Sequence, residues 1–175
     1  MASLPDKQAS VWSYVVGDDG LARWSDTHAD AWIGLLETHK RLTRALEAEL
    51  EAEHGLGLSG LELMGRLAAS EGRTLRLSTL AGLTGLSLSR VSRIMDVLEA
   101  QKLVARRSCP TDGRARNSWL TGKGLEILRA AQATHFAGVQ RRFFDRMEPE
   151  EVAALAAAFG RFAPVGSSLV ATEKR

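Results

Sequence analysis

Apolar residues recur every three or four positions along the first third of the chain, over residues 32–50. This spacing places them on one face of a helix and leaves acidic residues on the opposite face. The pattern predicts a long helix from Asp26 or Thr27 to Glu53, with Thr27 as its N-cap. The glycine-rich segment HGLGLSG at 54–60 is expected to end it.

Two shorter helices are predicted next. The first starts at Ser59, because Ser59 and Glu62 match the spacing of a capping box. The second covers Ser78 to Thr84. Gly85 follows it and is expected to adopt a left-handed conformation that ends the helix.

The fourth helix carries the clearest amphipathic pattern. Ser87 is its predicted N-cap, and it runs to about Gln101. Its predicted buried face consists of four residues at helical spacing: Val91, Ile94, Met95 and Leu98. Two helices joined by a short glycine-containing turn make a helix-turn-helix, whose second helix can enter the major groove of DNA. Five residues near its N-terminus would then face the bases or phosphates: Ser87, Ser89, Arg90, Ser92 and Arg93.

The period then changes from helical to alternating. Two strands are predicted, at 103–108 and 115–120, and the turn cluster CPTDGR joins them. Thr121 caps a fifth helix that runs to about Met147, and Pro149 occupies the first position of a sixth. The predicted fold class is mainly α with a small β-hairpin wing.

Charge is unevenly distributed along the 175 residues, although the formal net charge is only +2. Residues 87–123 hold eight Lys and Arg against three Asp and Glu, a balance of +5, whereas residues 28–54 hold three against six, a balance of −3. A basic stretch that coincides with a helix-turn-helix and a hairpin tip favours nucleic-acid binding over a merely solvated surface.

Other chemistry is not supported by the sequence. The GLGLSG segment matches a dinucleotide-binding pattern, but an acidic helix precedes it where a strand is required. No nucleophile–base set and no spacing of metal ligands is present, so we expect no enzyme, cofactor or metal. Cys109 is the single cysteine and is interpreted as an inert turn residue. The absence of a secretory signal and of a long apolar run predicts a cytoplasmic protein.

Three blocks within residues 28–162 resemble the multiple antibiotic resistance regulator (MarR) family of bacterial winged-helix transcription factors. They are LSTLAGLTGLSLSRVSRIMDVLEAQKLVARR at 77–107, DGRA at 112–115 and LTGKG at 120–124. The resemblance implies a homodimeric repressor that binds a palindromic operator in double-stranded DNA. The alternative is a winged-helix module that binds another protein without specific DNA binding.

The family's wing carries an Asp-x-Arg pattern, which Asp112 and Arg114 match here. The resemblance implies that Arg114 contacts DNA and that Asp112 holds the turn, and Arg116 is added as a further wing cation. It also implies a small aromatic or anionic effector, for which no ligand residues are assigned. The implied organisation is an N-terminal extension (1–27), a helical dimerisation region (28–58 and 121–165), a winged helix-turn-helix (59–120) and a tail (166–175).

Overall fold

The computed structural model describes residues 14–24, 26–109 and 112–162, with the backbone alone at residues 26, 107–109 and 112–116. The described elements are β1 (Tyr14–Val16), β2 (Ala22–Trp24), α1 (Asp26–His54), α2 (Leu58–Ala68), β3 (Thr74–Arg76), α3 (Leu77–Thr84), α4 (Leu88–Ala100), β4 (Val104–Cys109), β5 (Asp112–Leu120), α5 (Gly122–Arg142) and α6 (Pro149–Phe159). The predicted class, mainly helical with a small β-wing, is confirmed. The tail at 166–175 lies outside the described residues.

Two compact units divide the chain within α1, one ending at Arg41 and the other beginning at Leu42. The first unit contains a hairpin that the sequence did not predict, in which β1 pairs antiparallel with β2. The rings of Tyr14 and Trp24 meet edge to face at 6.1 Å between centroids, and Arg23 pairs with Asp19 at 2.5 Å. Every residue of both strands is exposed.

The junction between α1 and α2 corrects two predicted caps. Helix α1 already begins at Asp26, so Thr27 lies in its first turn and is not the N-cap. Helix α2 begins at Leu58, so the capping box predicted at Ser59 is wrong. A residue from the preceding helix satisfies the free amide instead: the Leu58 N–H donates to Glu47 Oε2 at 2.8 Å.

The helix-turn-helix forms as predicted, with α3 starting one residue earlier, at Leu77. Gly85 adopts φ 67°, a left-handed conformation that favours glycine. Leu80 is fully buried, and it shares the core with Leu63 and Met64 of α2. On α4, three of the four predicted residues are buried (Val91, Met95 and Leu98), whereas Ile94 is half-buried at the edge of this core.

The wing belongs to a three-stranded sheet with the order β3-β5-β4, not to a two-stranded hairpin. The sequence missed β3, which pairs antiparallel with the end of β5. Strand β5 begins at Asp112, three residues before the predicted start, and the register with β4 shifts between Ser108 and Cys109. The sheet connects the helix-turn-helix to the tip of the wing.

Helix α5 begins as predicted and ends early. Thr121 is its N-cap and accepts from the Gly124 N–H at 2.9 Å. A side chain at Gly124 would collide with the Leu103 carbonyl, which explains the glycine there. The backbone leaves the helical region at Phe143 (φ −122°, ψ −65°), so the predicted end at Met147 is wrong.

Helix α6 has Pro149 at its first position, as predicted, and Glu148 and Glu151 form a capping box. No residue of α6 is buried. Among the helices of the described ranges, none has the length and apolar character needed to cross a bilayer.

Candidate nucleic-acid interface

The outward face of α4 carries the side chains that the sequence assigned to DNA. Ser89, Arg90 and Arg93 are exposed and Ser92 is half-buried. They point away from the core because Val91, Met95 and Leu98 occupy the opposite side of the helix. The structure thus brings these four residues together on one accessible surface.

Hydrogen bonds order the first turn of α4. The Ser87 side chain accepts from the Arg90 N–H at 3.3 Å, which confirms the predicted cap. The Ser87 and Ser89 hydroxyls lie 3.1 Å apart and bond to each other. The Arg93 Nε donates to the Ser89 carbonyl at 3.5 Å, whereas no described residue bonds the Arg90 guanidinium. Arg90 therefore presents a free planar donor at the exposed end of the helix.

The three wing residues lie on β5, which pairs with β4. The side chains of Asp112, Arg114 and Arg116 lie outside the described residues. Their assignment to DNA or to the turn stays a prediction.

Sequence reasoning counted Arg106 simply as one more cation of the basic stretch. Its side chain is 8% exposed and lies between two carboxylates of α4. Arg106 Nε donates to Glu99 at 2.9 Å, and Nη2 donates to Asp96 at 2.6 Å and also to Glu99. The bond to Glu99 is the main reason that the pKa of Arg106 is raised. The opposite charges at 96, 99 and 106 were visible in the sequence, but their contact depends on how β4 crosses α4.

The C-terminal end of α4 is anchored by contacts that the sequence did not reveal. Lys123 Nζ donates to the Gln101 carbonyl at 3.0 Å, and Gln101 Nε2 donates to the Gly55 carbonyl at 3.3 Å. A cation at the C-terminal end of a helix also opposes the partial negative charge there. Lys123 therefore anchors the C-terminal end of α4 to the start of α5.

The described residues contain no group of three or more His, Cys, Asp or Glu placed to hold a metal ion. What the site offers is an exposed helix face with two arginines and three serines, next to a β-wing. Guanidinium groups and hydroxyls of this kind hydrogen-bond phosphate oxygens and the base edges of the major groove. The fold and this surface define a winged helix-turn-helix of the DNA-binding class.

Comparisons with known proteins give the family. The MarR family model matches residues 54–115. AbsC, a MarR family transcriptional regulator from Streptomyces coelicolor, is 37% identical, with 80% of this chain and 95% of AbsC covered and a TM-score of 0.72. Sco3205, a MarR family transcriptional regulator from the same organism, was solved in complex with DNA. It is 28% identical, with 81% of this chain and 94% of Sco3205 covered and a TM-score of 0.72. No curated protein matches the sequence.

A variant of MarR from E. coli complexed with operator DNA shares the fold, with a TM-score of 0.67 over 79% of this chain and 97% of that one, at 17% identity. Its similarity concerns the fold alone. The identity and coverage of AbsC show that this chain belongs to the MarR family. It is a DNA-binding transcription regulator, and regulators of this family are non-enzymatic.

Proposed function

We propose that the chain is a homodimeric repressor that binds a palindromic operator through two copies of α4, called the recognition helix below. The exposed pair Arg90 and Arg93 on the outward face of this helix is the observation that carries the proposal. Each recognition helix would enter a major groove, with the two half-sites about one helical turn apart. The wing would contact the flanking DNA through Arg114 and Arg116, with Asp112 holding its turn.

Roles within the recognition helix follow from its hydrogen bonds. Ser87 and Ser89 already bond each other, so they suit ordering of the first turn and contacts with phosphate. Arg90 has a free guanidinium, which matches the two acceptors of a guanine. Arg93 and Ser92 lie farther along the helix and would extend the contact with the backbone or bases.

Exposed apolar side chains support dimerisation. In the first unit, α1 exposes four large ones: Trp32, Ile33, Leu35 and Leu36. In the second unit, Phe136, Phe144, Phe159 and Phe162 are also exposed. Large apolar side chains exposed in such number are typical of protein interfaces. These residues fall in the predicted dimerisation segments 28–58 and 121–165.

We take a cavity beside the recognition helix as the candidate site for the proposed small effector. It measures about 290 Å³ and lies between the loop after α1 and the helix. Its charged lining groups are Glu47, Glu51 and Arg90, and its apolar lining includes Leu56 and Ile94. This volume is near the lower limit of ligand sites, and two carboxylates against one guanidinium favour an aromatic ring over a multiply charged anion. A ligand there would compete with DNA for Arg90.

The test is binding of the purified protein to the DNA flanking its own coding sequence, titrated with salt against a random duplex. Alanine at Arg90, Arg93 and Arg114 together should remove specific binding and flatten the salt dependence, because each lost phosphate contact lowers the slope by about 0.9. The matched control changes three exposed arginines outside the winged helix: Arg129, Arg146 and Arg161. It removes the same charge. Because these arginines lie in the predicted dimerisation segment 121–165, sedimentation equilibrium first checks that the control still self-associates like the wild type, and its specific binding should then be intact.

Equal binding by the wild type and the Arg90/Arg93/Arg114 variant would reject the proposal. It would favour the alternative, a winged-helix module that binds a protein partner. Effector release is tested separately, by titrating 4-hydroxybenzoate calorimetrically into the free protein and the DNA complex. Release requires weaker ligand binding to the complex, so equal affinities would reject it.

A further inference from the structure

The contact between Arg106 and the recognition helix joins the two parts of the molecule assigned to DNA. Asp96 and Glu99 lie on the helix, and Arg106 lies on β4, the strand that leads to the wing tip. Two nitrogens of one guanidinium engage both carboxylates, at 2.6 Å to Asp96 and 2.9 Å to Glu99. Such a forked arrangement restrains orientation as well as distance.

The exposure of the three side chains separates this arginine from the DNA-facing cations. Arg106 is 8% exposed, whereas Asp96 is 56% exposed and Glu99 is 39% exposed. The carboxylates therefore cover the guanidinium, and the three groups together carry a net charge of −1. A phosphate would have to displace both of them to reach it. The location of Arg106 within the basic stretch is thus poor evidence for a phosphate contact.

The other links between β4 and the recognition helix lie at the base of the wing. The Leu103 N–H donates to the Leu98 carbonyl at 2.9 Å, and Val104 is buried in the core. Arg106 is two residues farther toward the tip, opposite Ser118 of β5. At this level β5 is also paired with β3, since Leu75 lies opposite Ser118 and Arg76 opposite Asn117. The sheet pairing holds β5, and Arg106 adds a direct attachment of β4 itself to the recognition helix.

We propose that Arg106 is a positioning residue that holds the wing at a fixed angle to the recognition helix and does not itself contact DNA. With the bridge intact, the helix and the wing reach adjacent grooves together. Without it, the sheet keeps its β3–β5–β4 pairing, but β4 loses its side-chain attachment to the recognition helix. The angle of the wing is then less well fixed, and two unpaired carboxylates face the phosphates. This inference rests on the wing contact of Arg114 in the proposed function.

A double-mutant cycle between Arg106→Gln and Arg114→Ala tests the inference on a duplex selected from a random-sequence pool. If Arg106 acts through the wing, each change should weaken specific binding about tenfold, and the double variant should be no weaker than the worse single variant within about twofold. Losses that multiply would show that Arg106 contributes independently of Arg114 and would overturn the proposal.

Groove-specific footprints separate positioning from general stability. For Arg106→Gln at saturating protein, we expect hydroxyl-radical protection of the minor groove at the wing to be lost, while guanine N7 protection in the major groove persists. A merely structural role would lower both protections together with the folded fraction. Arg106→Lys keeps the charge but cannot form the fork, so it should restore wing protection only partly.

Glu99→Gln weakens the same bridge from its partly exposed side, because it removes one of the two negative charges that Arg106 contacts. It covers the case in which Arg106→Gln does not fold. It should show the same coupling to Arg114→Ala, although it makes the surface more basic. Stronger wing protection in Glu99→Gln would overturn the proposal, since it would mean that a released Arg106 binds DNA.

Arg90→Ala in the same assay separates DNA binding by the recognition helix from DNA binding by the wing. If Arg90→Ala weakens binding and Arg114→Ala does not, the recognition helix binds DNA but the wing does not. The positioning role of Arg106 is then rejected, while the proposed function is retained. If neither change matters, the proposed function fails as well.

Discussion

The helix-turn-helix and the first half of α1 use apolar residues in opposite ways. Leu80, the one buried residue of α3, is 0% exposed and packs into a core that a single chain completes. Leu36 of α1 belongs to an equally regular apolar stripe but is 47% exposed. The same helical periodicity thus produces a core that is completed within one chain in the helix-turn-helix and an exposed apolar surface in α1. The first region can hold a recognition helix by itself, and we propose that a partner chain covers the second.

The largest effect is expected from Leu80→Ala. Removing a fully buried leucine side chain leaves a cavity and should lower the free energy of unfolding by about 2–5 kcal/mol. Urea denaturation at a fixed protein concentration measures this change. Leu83→Ala on the same helix is the control: its side chain is 47% exposed, and the expected loss is below about 0.5 kcal/mol. Similar losses in the two variants would contradict the assigned core.

Leu36→Glu tests whether the exposed apolar stripe of α1 forms an interface between two chains. If the α1 stripe is buried between two chains, an unpaired carboxylate there should weaken self-association at least about tenfold. Sedimentation equilibrium without DNA measures the dissociation constant. Leu83→Glu is the matched control, because Leu36 and Leu83 have the same 47% exposure within one chain. Equal dissociation constants for both variants would mean that α1 does not form the interface.

Ser87→Ala should have an effect of intermediate size on the stability of the helix-turn-helix. Loss of the N-cap of the recognition helix should cost about 1 kcal/mol of stability. Ser89→Ala removes the exposed bond to the Ser87 hydroxyl but leaves the N-cap bond from the Arg90 N–H in place, so it should change stability by less than about 0.5 kcal/mol. Thermal unfolding of the two variants provides the comparison, and identical melting temperatures would contradict the capping role.

Local signals were predictable and long-range ones were not. Ser87, Gly85 and Thr121 were identified because a cap or a left-handed turn depends on a few adjacent residues. The cap of α2 was missed because Glu47 supplies it from eleven residues away. Strand β3 was missed because three residues are too few to show an alternating pattern.

The candidate site divides in the same way. The outward face of the recognition helix followed from helical spacing, whereas the pairing of Arg106 depends on how a strand crosses that helix. Counting charges along the sequence therefore overestimated the basic surface. The end of α5 was also mispredicted, since the apolar period continues through Phe143 and Phe144 although the backbone leaves the helix there.

The smallest expected effect concerns His135 on α5, which contacts Phe136 with ring centroids 5.9 Å apart. Burial lowers the pKa of His135 below its ordinary value of 6.5. The unfolded chain therefore binds a proton more readily than the folded chain. Its contribution to stability should be complete above pH 6.5 and decrease as the pH falls through 6.5 toward the folded pKa.

Urea denaturation between pH 5 and 8 should accordingly show a shallower loss of stability in acid for His135→Gln than for the wild type. The change should be smaller than loss of the Ser87 cap, since the imidazole is only partly buried. Protein concentration must stay fixed, because association would otherwise add its own contribution to stability. If the free energy of unfolding depends on pH equally in the two proteins, the packing of α5 around His135 tolerates the charged imidazole. In that case α5 at His135 resembles the exposed apolar surface of α1 more than the core of the helix-turn-helix.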